Sequence, residues 1–181
     1  VFVVFRNKTD VKSRIIKPVE PVLLTTLTGP WDISFPPELG APAAITVGKL
    51  ESWTASKDEG IKYFSGTAAY TTTFEVQKSW MASGQKMILD LGKVGDLAEV
   101  KVNGQNAGIL WNPPFRTDIT SMVRKGTNTL EIRVTNQWTN RLAGDQKEAP
   151  GKKVLNSSLF VFPRGLSESG LIGPVSILKQ P

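Results

Sequence analysis

Apolar and polar residues alternate with a period of two through Tyr70 to Val76, through Ala98-Val100-Val102 against Glu99-Lys101-Asn103, and through Leu130-Ile132-Val134 against Glu131-Arg133-Thr135. That period sends successive side chains to opposite faces, so each segment is a strand with one buried face. Gly84, Gly92, Gly95, Asn103-Gly104, Gly108 and Gly126 punctuate the chain at about the eight- to twelve-residue spacing that a sandwich or barrel needs. The sharpest local signal is Val100-Lys101-Val102-Asn103-Gly104. Asn-Gly supplies the positive-φ positions of a hairpin turn, and the chain returns through Gly108-Ile109-Leu110-Trp111. No segment carries a long 3.6-residue apolar period. The best helix candidate is a single turn, with Thr120 as N-cap, Ser121 to Lys125 as its body and Gly126 as its stop. The expected class is all-β and antiparallel.

A chain of 181 residues supports one domain with a substantial core. Residues 1–28 read as an upstream strand plus linker. Val1-Phe2-Val3-Val4-Phe5-Arg6 lacks the charged start and small-residue cleavage site of a signal peptide and reads as a strand cut from something longer. Asn7 to Asp10 and Lys17-Pro18-Val19-Glu20-Pro21 form a polar, proline-bearing stretch. The domain proper then spans residues 29–181, opening on Gly29-Pro30-Trp31.

The inventory removes whole classes of chemistry. With no cysteine and no histidine, thiolate nucleophiles, disulfides, Cys/His zinc sites and Ser-His-Asp triads are excluded. A structural calcium ion held by Asp, Asn and backbone carbonyls stays open, and no other cofactor is expected. The net charge of +6 is spread out, grouped only loosely at Lys12 to Lys17 and Lys152-Lys153, and neither group is interleaved with aromatics. Neither a nucleic-acid partner nor a membrane span is expected.

Five blocks taken in order carry a resemblance: "GPWDISF" (29–35), "YFSGTAAYTTTF" (63–74), "LDLGKVGDLAEVKVNGQNAGILWNPPFRTDIT" (89–120), "GTNTLEIRVTNQWTNRL" (126–142) and "SGLIGPVSIL" (169–178). The middle blocks are similar to the sugar-binding domain of family 2 glycoside hydrolases. The outer blocks resemble the C-terminal domain of bacterial α-L-rhamnosidase-like enzymes. The resemblance implies a galactose-binding-like jelly-roll sandwich that accompanies a catalytic domain. It implies a non-catalytic accessory domain, a fragment of a larger glycoside hydrolase, whose partners are carbohydrate and that catalytic domain. A bacterial periplasmic or extracellular location goes with it.

Sugar recognition needs flat apolar faces for pyranose C–H groups and planar donors or acceptors for hydroxyls. Two stretches offer that set: Trp111-Asn112 with Arg116, and Gln137-Trp138-Thr139-Asn140-Arg141 followed by Asp145. Both follow strands, where loops gather binding residues. The candidate sugar-binding or interdomain residues are therefore Trp111, Asn112, Arg116, Trp138, Asn140, Arg141 and Asp145. A purely structural reading stands beside this one. Pro113-Pro114 is then a stiff corner, Phe115 a core plug, and Arg116 with Asp118 an ion pair, as parts of an interdomain brace without ligand. Trp31 and Trp53 are expected in the core, with Trp80 covering a loop. A stand-alone hydrolase or lyase would need paired carboxylates about 5–10 Å apart. Asp90, Asp96, Glu99, Asp118, Glu131 and Asp145 show no spacing that brings two of them together, so no catalytic residue is assigned.

Overall fold

The two longest alternating segments become the centre of the larger of two main sheets. The computed structural model describes residue 6 and residues 20–81, 84–148, 153–155 and 165–180. Its strands are β1 (Val22–Thr26), β2 (Trp31–Ser34), β3 (Ala44–Val47), β4 (Thr67–Val76), β5 (Lys86–Asp90), β6 (Lys93–Val94), β7 (Leu97–Val102), β8 (Gln105–Leu110), β9 (Arg116–Asp118), β10 (Gly126–Thr135), β11 (Leu171–Gly173) and β12 (Ser176–Gln180). Two short helices, α1 (Glu59–Lys62) and α2 (Thr139–Asp145), join them. The six-stranded sheet runs β3-β2-β4-β10-β7-β8, the four-stranded sheet β1-β12-β5-β9, and a two-stranded ribbon pairs β11 with β6.

Strands β4 and β10 pair antiparallel from Thr67↔Thr135 to Gly126↔Val76 without a register shift. Their inward residues, Ala68, Tyr70, Phe74 and Val76 on one and Leu130, Ile132 and Val134 on the other, join Val100 and Val102 of β7 in one core. Met87 and Leu89 of β5 and Ile177 of β12 complete that core from the smaller sheet. Each such large side chain contributes about 1.5–3 kcal/mol by leaving water. The antiparallel all-β class expected from period-two patterning is the observed one, and its two packed sheets agree with the sandwich that the resemblance implies. Trp31 and Trp53 are core residues at 1% and 3% exposure. Trp53 stacks on Tyr70 at 6.3 Å between ring centroids and meets Phe64 edge-on at 5.1 Å. The Tyr70 hydroxyl accepts the Leu171 amide at 3.0 Å, and burial pushes its pKa upward. Gly170, at φ +85°, lies so close that a Cβ there would come within 2.7 Å of both Trp53 and the Tyr70 hydroxyl.

The Asn103-Gly104 hairpin forms as read, with φ of 51° and 77° at the two turn residues. Asn103 also ties the turn to its neighbours, donating from Nδ2 to the Met122 carbonyl and to Asn128 Oδ1. Asn128 in turn accepts the Arg124 amide and donates to the Arg124 and Gly126 carbonyls. This knot accounts for the first difference from expectation: residues 120–125 are turn and irregular backbone, not a helix. Thr120 is drawn away from any capping role, because its Oγ1 accepts the Met87 amide while its own amide and hydroxyl donate to Asp118.

Two further differences concern extent. Val22–Thr26, expected within the linker of residues 1–28, is edge strand β1, paired with β12 from Val22↔Lys179 to Thr26↔Ser176. Its β-branched and apolar content suits that place. The strand expected at Val1 to Phe5 and the polar stretch over 7–19 lie outside the described residues. The segment 139–145, expected as loop, is helix α2.

Candidate functional site

The register of the larger sheet decides which loops meet. Ala98 faces Leu110 across β7 and β8, and Leu97 faces Thr135 across β7 and β10. The chain therefore leaves β8 toward Trp111 and β10 toward Trp138 at the same end of the sheet. Those two strands flank β7, which sets their ends about 10 Å apart. Along β8, Ile109 is outward and 57% exposed, while Leu110 packs on the core. Trp111 continues the outward alternation and is 72% exposed. Trp138, at the start of α2, is 46% exposed.

The segment after Trp111 turns inward quickly. Asn112 is exposed and donates to the Pro113 carbonyl at 3.3 Å, and the Pro113–Pro114 bond is cis. Phe115 is buried at 8% exposure, and its carbonyl accepts the Leu91 amide. Arg116 donates from Nε to Asp90 Oδ2 at 2.7 Å, and Asp118 pairs with Lys86 at 3.2 Å. The expected Arg116–Asp118 pair is thus replaced by two bridges from β9 to β5. Arg116 is directly opposed to Asp90, at about 5 Å, while Asp118 is opposed to Ile88 and Lys86 reaches it on the diagonal. The Thr120 hydroxyl, and behind it the Thr120 amide and Lys86, hold the Asp118 carboxyl below the usual carboxylate range.

The second segment is built the other way round. Helix α2 presents Asn140, Arg141, Gly144 and Asp145 to the interior. Asn140 is 2% exposed, exchanges both its amide groups with the Ser167 backbone and donates to Ser169 Oγ. The Arg141 amide donates to Ser65 Oγ, and its guanidinium pairs with Asp145 at 3.0 Å, both side chains being 6% exposed. Asp145 also accepts the amides of Val154 and Leu155. Gly144 is pressed on Tyr63, where an added Cβ would lie 2.7 Å from Cγ. Asn140, Arg141 and Asp145 are thus turned inward as clamps. Trp111, Asn112, Arg116 and Trp138 remain as the outward part of the candidate set.

The carboxylates are dispersed into structural pairs. Asp96 accepts the Gln137 amide and side chain, Glu131 lies 3.7 Å from Lys101, and Asp90, Asp118 and Asp145 are bridged as above. Among the described residues no group of three or more His, Cys, Asp or Glu converges to hold a metal ion. Sequence reasoning missed the outward Ile109 beside Trp111 and a polar hollow on the outer face of the larger sheet lined by Asp32, Thr71, Lys101 and Glu131. The outward phase of each strand was readable from the alternation. Which strands lie side by side was not.

Residues 52–165, more than half of the chain, match the family described as glycosyl hydrolase 2 galactose-binding domain-like. A curated relative from Formosa agariphila, named "Putative beta-glucuronidase", is 43% identical over 183 residues, which is 87% of this chain and 16% of that protein. The solved structure of a rhamnosidase from Novosphingobium sp. PP1Y superposes with a TM-score of 0.86 at 42% identity, covering 97% of this chain and 17% of that one. A beta-D-glucuronidase of Dictyoglomus thermophilum shares the fold, with a TM-score of 0.62 at 22% identity over 93% of this chain. The chain spans about a sixth of the length of the first two relatives.

Proposed function

The chain belongs to the glycosyl hydrolase 2 galactose-binding domain-like family, and from that premise we propose that it serves as a non-catalytic accessory domain of a larger glycoside hydrolase, touching carbohydrate weakly through Trp111 and its neighbours. The observation that carries the reading is the 72% exposure of Trp111 at a strand end whose remaining aromatic, Phe115, is buried. A large indole face left in water suits the apolar side of a sugar ring. Trp138, 46% exposed at the same end of the sheet, offers a second face. Asn112 and Arg116 supply planar polar groups nearby. One stacking face and a few hydrogen bonds exchanged with water leave little net free energy, so Kd is expected at about 0.1–10 mM.

Titration of the chain with rhamnose, galactose and pectic fragments, followed by tryptophan fluorescence and amide spectra, tests this reading. Millimolar ligand should perturb both signals, and Trp111→Ala should remove the effect. Silence in both channels would leave the interdomain brace as the better account. One observation favours that second reading: Ile109, 57% exposed, adjoins Trp111 on the same face, and an adjoining domain covers aliphatic surface better than a sugar does. No glycoside hydrolysis is expected from the chain itself. Turnover of aryl glycosides that tracked the purified chain and vanished in Asp118→Asn or Glu131→Gln would overturn the non-catalytic assignment. Carbohydrate polymers are met outside the cytoplasm, so the proposal extends to a periplasmic or extracellular location. No described helix is long and apolar enough to cross a membrane.

A further inference from the structure

The outer face of the larger sheet carries an unbroken polar row. Thr46, Asp32, Thr71, Glu131, Lys101 and Asn106 are register partners in turn across all six strands. Beside them Thr73 faces Thr129. Asp32, Thr71, Glu131 and Lys101 of this row form the floor of a hollow of about 500 Å³ bounded by Gly29 and Pro30 on one side and Gly104 of the hairpin turn on the other. That volume falls within the usual range for small-ligand sites, about 300–1,000 Å³. The wall is held in place, since Thr72 donates from Oγ1 to the Pro30 carbonyl at 2.8 Å. Asp32 accepts from Thr46 of the edge strand at 2.6 Å, and on the floor Lys101 stands 3.7 Å from Glu131.

The chemistry of the floor selects a ligand class. Threonine hydroxyls both donate and accept, carboxylates accept, and the ammonium donates, which together answer the mixed hydrogen-bonding character of neighbouring sugar hydroxyls. The carboxylates of Asp32 and Glu131 outnumber the single ammonium of Lys101, so an acidic sugar meets net repulsion here. Going toward Trp111, the next outward row holds Glu99, Arg133 and Ile109, and the one after it Leu97 and Thr135, at the sheet end where the chain leaves β8 through Trp111. Two rows amount to about 13 Å along the strands. We propose that this hollow is a binding groove for a neutral oligosaccharide, continuous along the outer face with the Trp111 platform. The groove rests on the carbohydrate reading above and extends it: a chain of several rings reaches both places, and a single ring reaches one.

The test uses the 181-residue chain, isotopically labelled, titrated separately with galactotetraose, tetragalacturonate and rhamnose while amide shifts are assigned. Galactotetraose should shift amides at Thr71 to Thr73 and Thr129 to Glu131 together with Ile109 and Trp111. Tetragalacturonate should bind the groove several-fold more weakly. The isosteric double change Thr73→Val with Thr129→Val, and separately Glu131→Gln, should weaken galactotetraose about five- to tenfold, the loss expected for one or two exchanged hydrogen bonds. Both leave outward strand positions β-compatible, and an unchanged amide spectrum outside the groove verifies the fold. Galactotetraose shifts confined to Trp111 and Trp138 would sink the groove and leave the accessory reading standing. Shifts confined to the groove, with Trp111→Ala silent, would uphold the groove and sink the platform. Equal response to tetragalacturonate would overturn the neutral-ligand assignment. No response to any of the three sugars would overturn both, leaving this face to a neighbouring domain of a longer chain.

Discussion

The segments Trp111–Asp118 and Asn136–Glu148 leave the same end of the same sheet, yet they use their polar residues in opposite directions. In the first, the aromatic stays in water and the charges reach sideways to β5. In the second, the aromatic is half covered, the Asn140 side chain holds Ser167 and Ser169, the Arg141 backbone amide holds Ser65, and the Asp145 carboxylate, paired with the Arg141 guanidinium, holds Val154 and Leu155. A run of polar residues after a strand therefore does not by itself mean a loop that meets ligand. It also describes a short helix packed by its polar side against extended backbone whose amides and carbonyls need partners.

The contrast can be broken most forcefully at the buried pair. Arg141→Ala should cost about 3–5 kcal/mol, because the Asp145 carboxylate is left buried without its counter-charge. Denaturant unfolding measures this, and a loss under about 1 kcal/mol would show that α2 is an ornament rather than a clamp. Asn140→Ala should come next, at about 1–3 kcal/mol, from the Ser167 backbone groups it leaves unsatisfied. Trp111→Ala should change stability by less than about 0.5 kcal/mol, as an exposed residue does. A cost near the roughly 3–5 kcal/mol of a buried aromatic would erase the difference between the two segments. The smallest effect belongs to Asp118, which is largely exposed. Its folded carboxyl is held below the unfolded value of 3.8, so its contribution is complete above that value and is lost as pH falls through the folded value. Asp118→Asn should lower neutral-pH stability slightly and flatten the acid limb of the stability profile below about pH 4.

The first segment was largely legible because its signals are local: the Asn-Gly hairpin before it, prolines at the corner, a large apolar residue at Phe115. The second was not, for a physical reason. Thr139 to Asp145 contains Asn, Gly and Asp, which are weak helix formers, and Trp138 gives no side-chain cap. The helix exists because distant residues bind it, including Tyr63, whose hydroxyl accepts from Lys147 at 2.6 Å and whose ring excludes a side chain at position 144. The single-turn helix expected at 120–125 failed for the complementary reason. Its capping residue had a stronger appointment with Met87 and Asp118. Edge strand β1 was hidden in a stretch with prolines before it, since pairing with β12 comes from 150 or more residues downstream.

That last pairing has a mechanical side. Val22 opposes Lys179, so the first and last described strands lie side by side and run in opposite directions at the border of the smaller sheet. Tension applied through the two flanks of the chain would load the β1–β12 bonds one after another, like opening a zip, instead of shearing them together. The core behind β12 would feel the load only after β1 had peeled away. The start of β1 and the end of β12 lie about 5 Å apart. Under strain such a module gives way first at its rim.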